Sequence, residues 1–256
     1  DEVSEIGFTL NGDGTVRYLM GPKGIVHGDR FHIAKMDPDR SGLQGYGVQQ
    51  DNPNLLLEYY YDARDGNVQW RHQGTEVGDV GRGSAADIDP RFAGMEVWSF
   101  SGVFNARSNQ LAEPSTNLRP WPHLNLWWDG DNLAELYNDG KIEKWDWLDP
   151  KQTSSLPRLD RISTYGGVGY GVNPMFIGDI LGDWREEVIV TNAAFNQLLI
   201  FTTNIPSDIR LYTLAHNPAY RNGMTFKGYM QSHHVDYFLG NGMATPPRPD
   251  IRYAGA

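Results

Sequence analysis

The chain has 256 residues, a formal net charge of −10 and no cysteine. That charge argues against a nucleic-acid partner, since counterion release on a phosphate backbone needs clustered Lys and Arg, and the missing cysteines exclude disulfide stapling and thiolate chemistry while leaving the compartment open. The 29 glycines and 15 prolines favour an all-β, turn-rich fold over a helical bundle. No stretch approaches the roughly 20 apolar residues of a membrane helix, so no membrane partner is expected. No basic n-region with an apolar h-region follows Asp1, so the chain reads as mature, internal or truncated.

In chain order, "NGDG" (11–14) marks a first hairpin turn. "HGDRFHIAKMDPDRSGLQGYGVQ" (27–49) then carries His27, Asp29, His32, Asp37, Asp39, Gly42 and Gln44. A strand is expected over Leu55–Tyr61, turned by "RDGN" (64–67). "GRGSAADIDPRFAGMEVWSF" (81–100) carries Arg82, Asp87, Asp89, Gly94 and Glu96, with a strand expected over Met95–Phe100. "LNLWWDGDNLAEL" (124–136) carries Asp129, Asp131 and Glu135; with the residues after it, this unit reads as a short helix with an acidic start and a Gly stop, although "NDGK" (138–141) also reads as a hairpin turn. "MFIGDILGDWREEVIVT" (175–191) carries Asp179, Asp183 and Glu187, with strands expected over Glu187–Thr191 and Gln197–Thr202.

The leading aspartates Asp37, Asp87, Asp129 and Asp179 are spaced 50, 42 and 50 residues apart. Such a period fits four-stranded propeller blades, each with one rim loop, in a single domain spanning 1–256. Asp, Asn and Gly are common in plain turns. Four acid-bearing loops at similar spacing, each followed by a further acid or amide, point instead to sites for a hard divalent cation such as Ca²⁺, which gathers several oxygens. The expected ligands are Asp29, Asp37, Asp39, Gln44, Asp87, Asp89, Glu96, Asp129, Asp131, Asp179, Asp183 and Glu187.

Five ordered strings, "HGDRFHIAKMDPDR", "GRGSAADIDPRFAGMEVW", "LNLWWDGDNLAELYNDGKIEKWD", "GDILGDWREEVIV" and "LYTLAHNPAYRNG", resemble polysaccharide lyase family 11, the rhamnogalacturonan lyases. The resemblance runs from about His27 to Gly242. It implies an eight-bladed β-propeller rich in Ca²⁺, secreted, that cuts the rhamnose–galacturonic acid backbone of pectic rhamnogalacturonan I by β-elimination. The family's catalytic domain is longer, and about five blade-sized units fit here. The chain is therefore expected to be a C-terminal portion of the propeller, one half of a nicked enzyme whose second polypeptide supplies the remaining blades, or a smaller relative. The region 163–173, "STYGGVGYGVN", departs from the Asn-Gly-Thr-Lys-like loop of bacterial members, which leaves another rhamnose–uronate polysaccharide open as substrate. A Ca²⁺-stabilised propeller that binds carbohydrate without catalysis also stays open.

Elimination next to a uronate carboxylate needs that carboxylate neutralised, a base at C5 and an acid at the leaving oxygen. Arg82, between two glycines, is the expected carboxylate clamp; a structural pairing with a rim acid is the alternative. His27 and His32 fit a base, metal ligands or core hydrogen bonders. Near the C-terminus, Tyr229, Gln231 and His234 match the family, with Tyr229 expected in the cleft and Lys227 two residues before it; packing of the closing blade is the alternative for Tyr229 and His234. Tyr170, in the departing loop, and Trp121, from a chain region dense in tryptophan, complete the expected substrate contacts.

Overall fold

The computed structural model describes residues 7–112, 120–148, 156–168, 176–225 and 232–252. These residues form five antiparallel sheets whose strands follow in chain order. The first pairs β1 (Phe8–Leu10) with β2 (Val16–Leu19). The second runs β3 (Phe31–Ala34), β4 (Gln44–Val48), β5 (Leu56–Asp62) and β6 (Asn67–Gln73); the third, β7 (Ser84–Ala86), β8 (Glu96–Ser99) and β9 (Gly102–Asn105). The fourth runs β10 (Leu124–Leu126), β11 (Glu135–Asn138), β12 (Lys141–Glu143) and β13 (Arg158–Arg161); the fifth, β14 (Phe176–Gly178), β15 (Glu187–Thr191) and β16 (Leu198–Phe201). Among the described residues one α-helix forms, α1 (Pro218–Thr225), and no helix is long and apolar enough to cross a membrane.

In the second, fourth and fifth sheets burial falls toward the last strand. All five residues of β4 are buried, whereas β6 alternates exposed and half-buried positions, as an outer strand with one wet face must. The sheets bury their faces against their chain neighbours. Met36, Tyr46 and Tyr60 of the second unit meet Met95 and Val97 of the third. Trp98, Trp127, Trp145 and Trp184 join the third to the fifth, and Leu126, Trp128 and Tyr137 meet Val188 and Val190. Trp127, Trp128 and Trp145, from the tryptophan-dense region that also holds Trp121, are thus core residues.

The expected helix in the third acidic unit is a hairpin instead. Asn138 pairs with Lys141 across Asp139 and Gly140, both at positive φ (51° and 66°), which is the backbone of a two-residue turn that follows the right-handed twist of its strands. Glu135, Leu136 and Tyr137 are all buried, so the segment is wrapped on both faces and local helical periodicity loses to packing.

The four acid-bearing loops share one construction. Each joins the first and second strands of its sheet, across the closing pairs Ala34↔Gln44, Ala86↔Glu96, Leu126↔Glu135 and Gly178↔Glu187. The residue that opens the second strand turns one side-chain oxygen back to accept two consecutive backbone N–H groups. Gln44 Oε1 takes Met36 and Asp37 (3.1 and 2.9 Å), and Glu96 Oε2 takes Ile88 and Asp89 (3.1 and 2.9 Å). Glu135 Oε2 takes Trp128 and Asp129 (2.8 and 3.1 Å), and Glu187 Oε2 takes Ile180 and Leu181 (both 3.0 Å). Successive loops are then stitched by one backbone bond each: Met95 N–H to Met36 O (2.9 Å), Ala134 N–H to Asp87 O (2.8 Å) and Glu186 N–H to Trp127 O (2.7 Å).

This construction corrects the phase of the repeat. Asp37, Asp89 and Asp129 are the equivalent residues, third after their strand, and each accepts the N–H two residues on (3.0, 3.1 and 2.9 Å). Asp87 and Asp179 instead directly follow their strands. The even spacing of leading aspartates therefore mixes two structural positions.

Glu187→Gln is expected to cost little, because the amide oxygen can repeat what Gln44 does and its NH₂ can donate to the Thr202 hydroxyl, now 3.0 Å from Oε1. Glu187→Leu strands two N–H groups at about 1–3 kcal/mol each. Urea unfolding of both variants checks this; equal losses would contradict it.

Candidate functional site

Basic residues stand just before the first strands of three sheets: Arg30 directly before β3, Arg82 two residues before β7 and His123 directly before β10. Side chains tie these strand starts together. Asn125 Nδ2 donates to Ser84 Oγ (2.8 Å) and Ala85 O (3.1 Å), while Ser232 Oγ accepts from Asn125 N (2.7 Å) and draws the C-terminal segment in. The glycines flanking this region serve protein packing. A Cβ on Gly28 would sit 1.8 Å from Val48 O, and one on Gly83 would sit 2.6 Å from Val48 Cγ1. Gly83, beside Arg82, thus has β4 as its close neighbour.

His32 lies buried on β3, with Nε2 3.3 Å from Gly83 O and Nδ1 3.3 Å from His234 Nε2. The two rings meet edge to face, at 80°. A carbonyl only accepts, so His32 carries its proton on Nε2 and its Nδ1 accepts from His234 Nε2–H. That leaves His234 Nδ1 as a buried lone pair with no partner among the described residues. Burial, then the neighbouring Arg30, lowers His32 to a pKa of about 4. Burial, then Arg30 and Arg82, lowers His123 to about 4. Burial, then His32 and His233, holds His234 well below its ordinary value. The cluster is thus two guanidiniums beside neutral imidazoles, and of its members His32 and His234 line a cavity of about 340 Å³ together with Phe31, Ser232 and His233.

The other expected site residues are scattered. His27 is half exposed and pairs with Asp29 (3.1 Å), which gives Asp29 a protein partner away from the four acidic loops. Trp121 is exposed, its ring 5.0 Å from Phe100 and edge-on. Tyr170, Lys227, Tyr229 and Gln231 lie outside the described residues.

The acidic loops sit at the opposite ends of the same first strands, and each holds a basic side chain of its own. Arg107 pairs with Asp39, Arg91 forks onto Asp89 (2.9 and 2.6 Å), and Arg185 meets Asp183 (2.5 Å). Asp179 is saturated by Gly182 N–H, Thr213 O–H and Leu214 N–H. Among the described residues, Asp129, Asp131 and Glu135 form an acidic group that could hold a metal ion, with ligand oxygens within 4.8 Å of one another. Lys144 Nζ donates to all three. In the loop before it, Asp87 is buried, accepts Asn241 N–H on Oδ2 (2.5 Å) and, among the described residues, has no partner on Oδ1. Burial raises its pKa, and Asp89 and Asp131 raise it further.

The description "Rhamnogalacturonan lyase family 11, C-terminal domain" matches residues 1–249. The chain belongs to rhamnogalacturonan lyase family 11. It is 36% identical over 256 residues to the rhamnogalacturonan endolyase YesW of Bacillus subtilis (strain 168), covering 98% of this chain and 39% of that protein. It is 33% identical over 276 residues to the exolyase YesX of the same organism, covering 43% of it. The crystal structure of YesW superposes with a TM-score of 0.84 at 34% identity, over 96% of this chain and 41% of that one. A Bacillus licheniformis family 11 lyase superposes at 0.79 and 35%, over 94% and 40%. The chain therefore spans about two fifths of the relatives it matches.

Sequence reading of this family 11 chain missed Arg30 and His123. Their shared signal was position, one residue ahead of a sheet's first strand, and it becomes visible once strand starts are known. A histidine with a depressed folded pKa is neutral when folded and takes a proton on unfolding. It therefore stabilises the fold above its unfolded value near 6.5, and that stability drains as pH falls toward 4. Unfolding free energies at pH 7 and 5 should show His32→Asn losing less than the wild type between the two, by about 2 kcal/mol in total. An unchanged slope would contradict the assignment.

Proposed function

We propose that the protein containing this chain is a Ca²⁺-dependent lyase that cleaves the backbone of rhamnogalacturonan I by β-elimination. The relatives' lyase names and the family match support the reaction class. The observation that carries it at residue level is the His32–His234 hydrogen bond beside Arg30, with Arg82 near His123 and an imidazole lone pair left over. Removing the C5 proton puts carbanion charge next to a carboxylate, and guanidiniums neutralise it best, in bidentate geometry. An imidazole kept unprotonated by burial stays able to accept a proton at neutral pH. In this reading Arg82 holds the uronate, the buried Arg30 adds positive charge behind it, the histidine pair accepts or orients, and Tyr229 and Lys227 supply the proton-transfer partners that the family resemblance implies.

The same reading places the sheets as radial blades of a propeller whose remaining blades come from chain beyond this segment or from a second polypeptide. Support comes from the first strands lying side by side, β3 against β7 and β7 against β10. Calcium is assigned to the loop of Asp87, Asp89 and Glu96. Asp87, Asp89 and Glu96 are all buried there, Arg91 pairs with Asp89 alone, and among the described residues Asp87 Oδ1 has no partner. The ion, when bound, supplies charge and oxygen coordination that hold the loop together. A polymeric substrate places the protein outside the cell.

Incubation of the intact protein with rhamnogalacturonan I should raise the ultraviolet absorbance of the unsaturated uronate. EGTA should abolish the rise and Ca²⁺ restore it, and Arg82→Ala should slow it by roughly 10²-fold. No rise with calcium present would remove the lyase reading; a full rate in Arg82→Ala would remove the clamp.

A further inference from the structure

The four loops share a frame but do not share a counter-charge, and the third is the one whose acids converge on a single cation of the protein. Lys144 directly follows β12 and is anchored by its own N–H to Pro157 O (2.9 Å). Its Nζ lies 2.5 Å from Asp129 Oδ2, 2.6 Å from Asp131 Oδ2 and 3.0 Å from Glu135 Oε1. An ammonium has three N–H donors, and here each meets a different carboxylate. Those carboxylates are the same three that could hold a metal ion.

We propose that Lys144 is the resident cation of this loop, so that the third loop closes without a divalent ion. The acid set by itself suits a hard cation, but the residues present do not fit one, since an incoming ion would have to expel a largely buried ammonium from three charge-assisted bonds. No other loop is arranged this way among the described residues. Arg91 engages Asp89 alone and leaves Asp87 Oδ1 unserved, and Arg107 engages the exposed Asp39 and, at 3.9 Å, Asp37, two acids rather than three. The lysine also explains how this loop carries three acids next to buried Trp128. It contributes a positive charge whose position is fixed by the chain, so the loop needs no calcium to form. The inference is independent of the lyase reading and uses the calcium assignment only as a contrast.

Equilibrium dialysis against calcium, on the intact protein, gives the number of ions bound per chain. Asp131→Asn, altered at a solvent-facing carboxylate, is expected to bind as many ions as the wild type. Lys144→Gln, which replaces the ammonium with an amide oxygen, is expected to bind one more. An Asp131→Asn count one below wild type, or a Lys144→Gln count equal to it, overturns the proposal. If Lys144→Gln folds only once calcium is added, that is the expected gain in another form; if it does not fold at all, the Asp131→Asn count decides. A wild-type count of zero removes the calcium assignment at Asp87 while leaving the gain in Lys144→Gln as the test here.

Discussion

The structure depends on one side-chain oxygen repeated four times. A connection of eight or nine residues between two strands leaves backbone N–H groups turned inward, and those groups must find acceptors or lose on the order of 1–3 kcal/mol each. Gln44, Glu96, Glu135 and Glu187 answer this by opening their strands with an oxygen that takes two N–H groups at once. With each loop closed from inside, its neighbour can donate one backbone bond across to it, and three such bonds link the second sheet to the fifth. That an amide does at Gln44 what carboxylates do elsewhere shows that the acceptor atom, not the charge, makes the brace.

Once the loops are fixed, the two ends of the first strands acquire opposite chemistry. Arginines and neutral histidines gather where these strands begin, and carboxylates gather where they finish. A chain with a net charge of −10 can thus keep a positively charged cluster, because its excess acid is held at the far end, close to basic side chains of its own. For the anionic polymer proposed as substrate, this separation matters more than the net charge, since local guanidiniums govern what a carboxylate meets at short range.

Much of this was legible in the sequence. The β-rich class, the repeat and the strands near residues 55, 95, 187 and 197 follow from turn residues and apolar alternation, and the family strings follow from order and spacing. Two things were not. Sequence spacing could not tell Asp37, third after its strand, from Asp87, first after its strand, because strand ends are set by pairing with residues ten positions away. Nor could it pair His32 with His234, 202 positions apart, or reveal that Lys144 returns across a hairpin to face its own loop. The misread helix at Glu135–Tyr137 has the same origin: burial on both faces, invisible in one dimension, overrode a local pattern.

Amide hydrogen exchange tests the central claim most directly. Ile180 and Leu181, bonded to Glu187, and Met95, Ala134 and Glu186, which stitch one loop to the next, should exchange as slowly as amides inside β4 and β15 despite lying in connections. Exchange at the rates of open surface loops would show that the braced loops do not hold the sheets together.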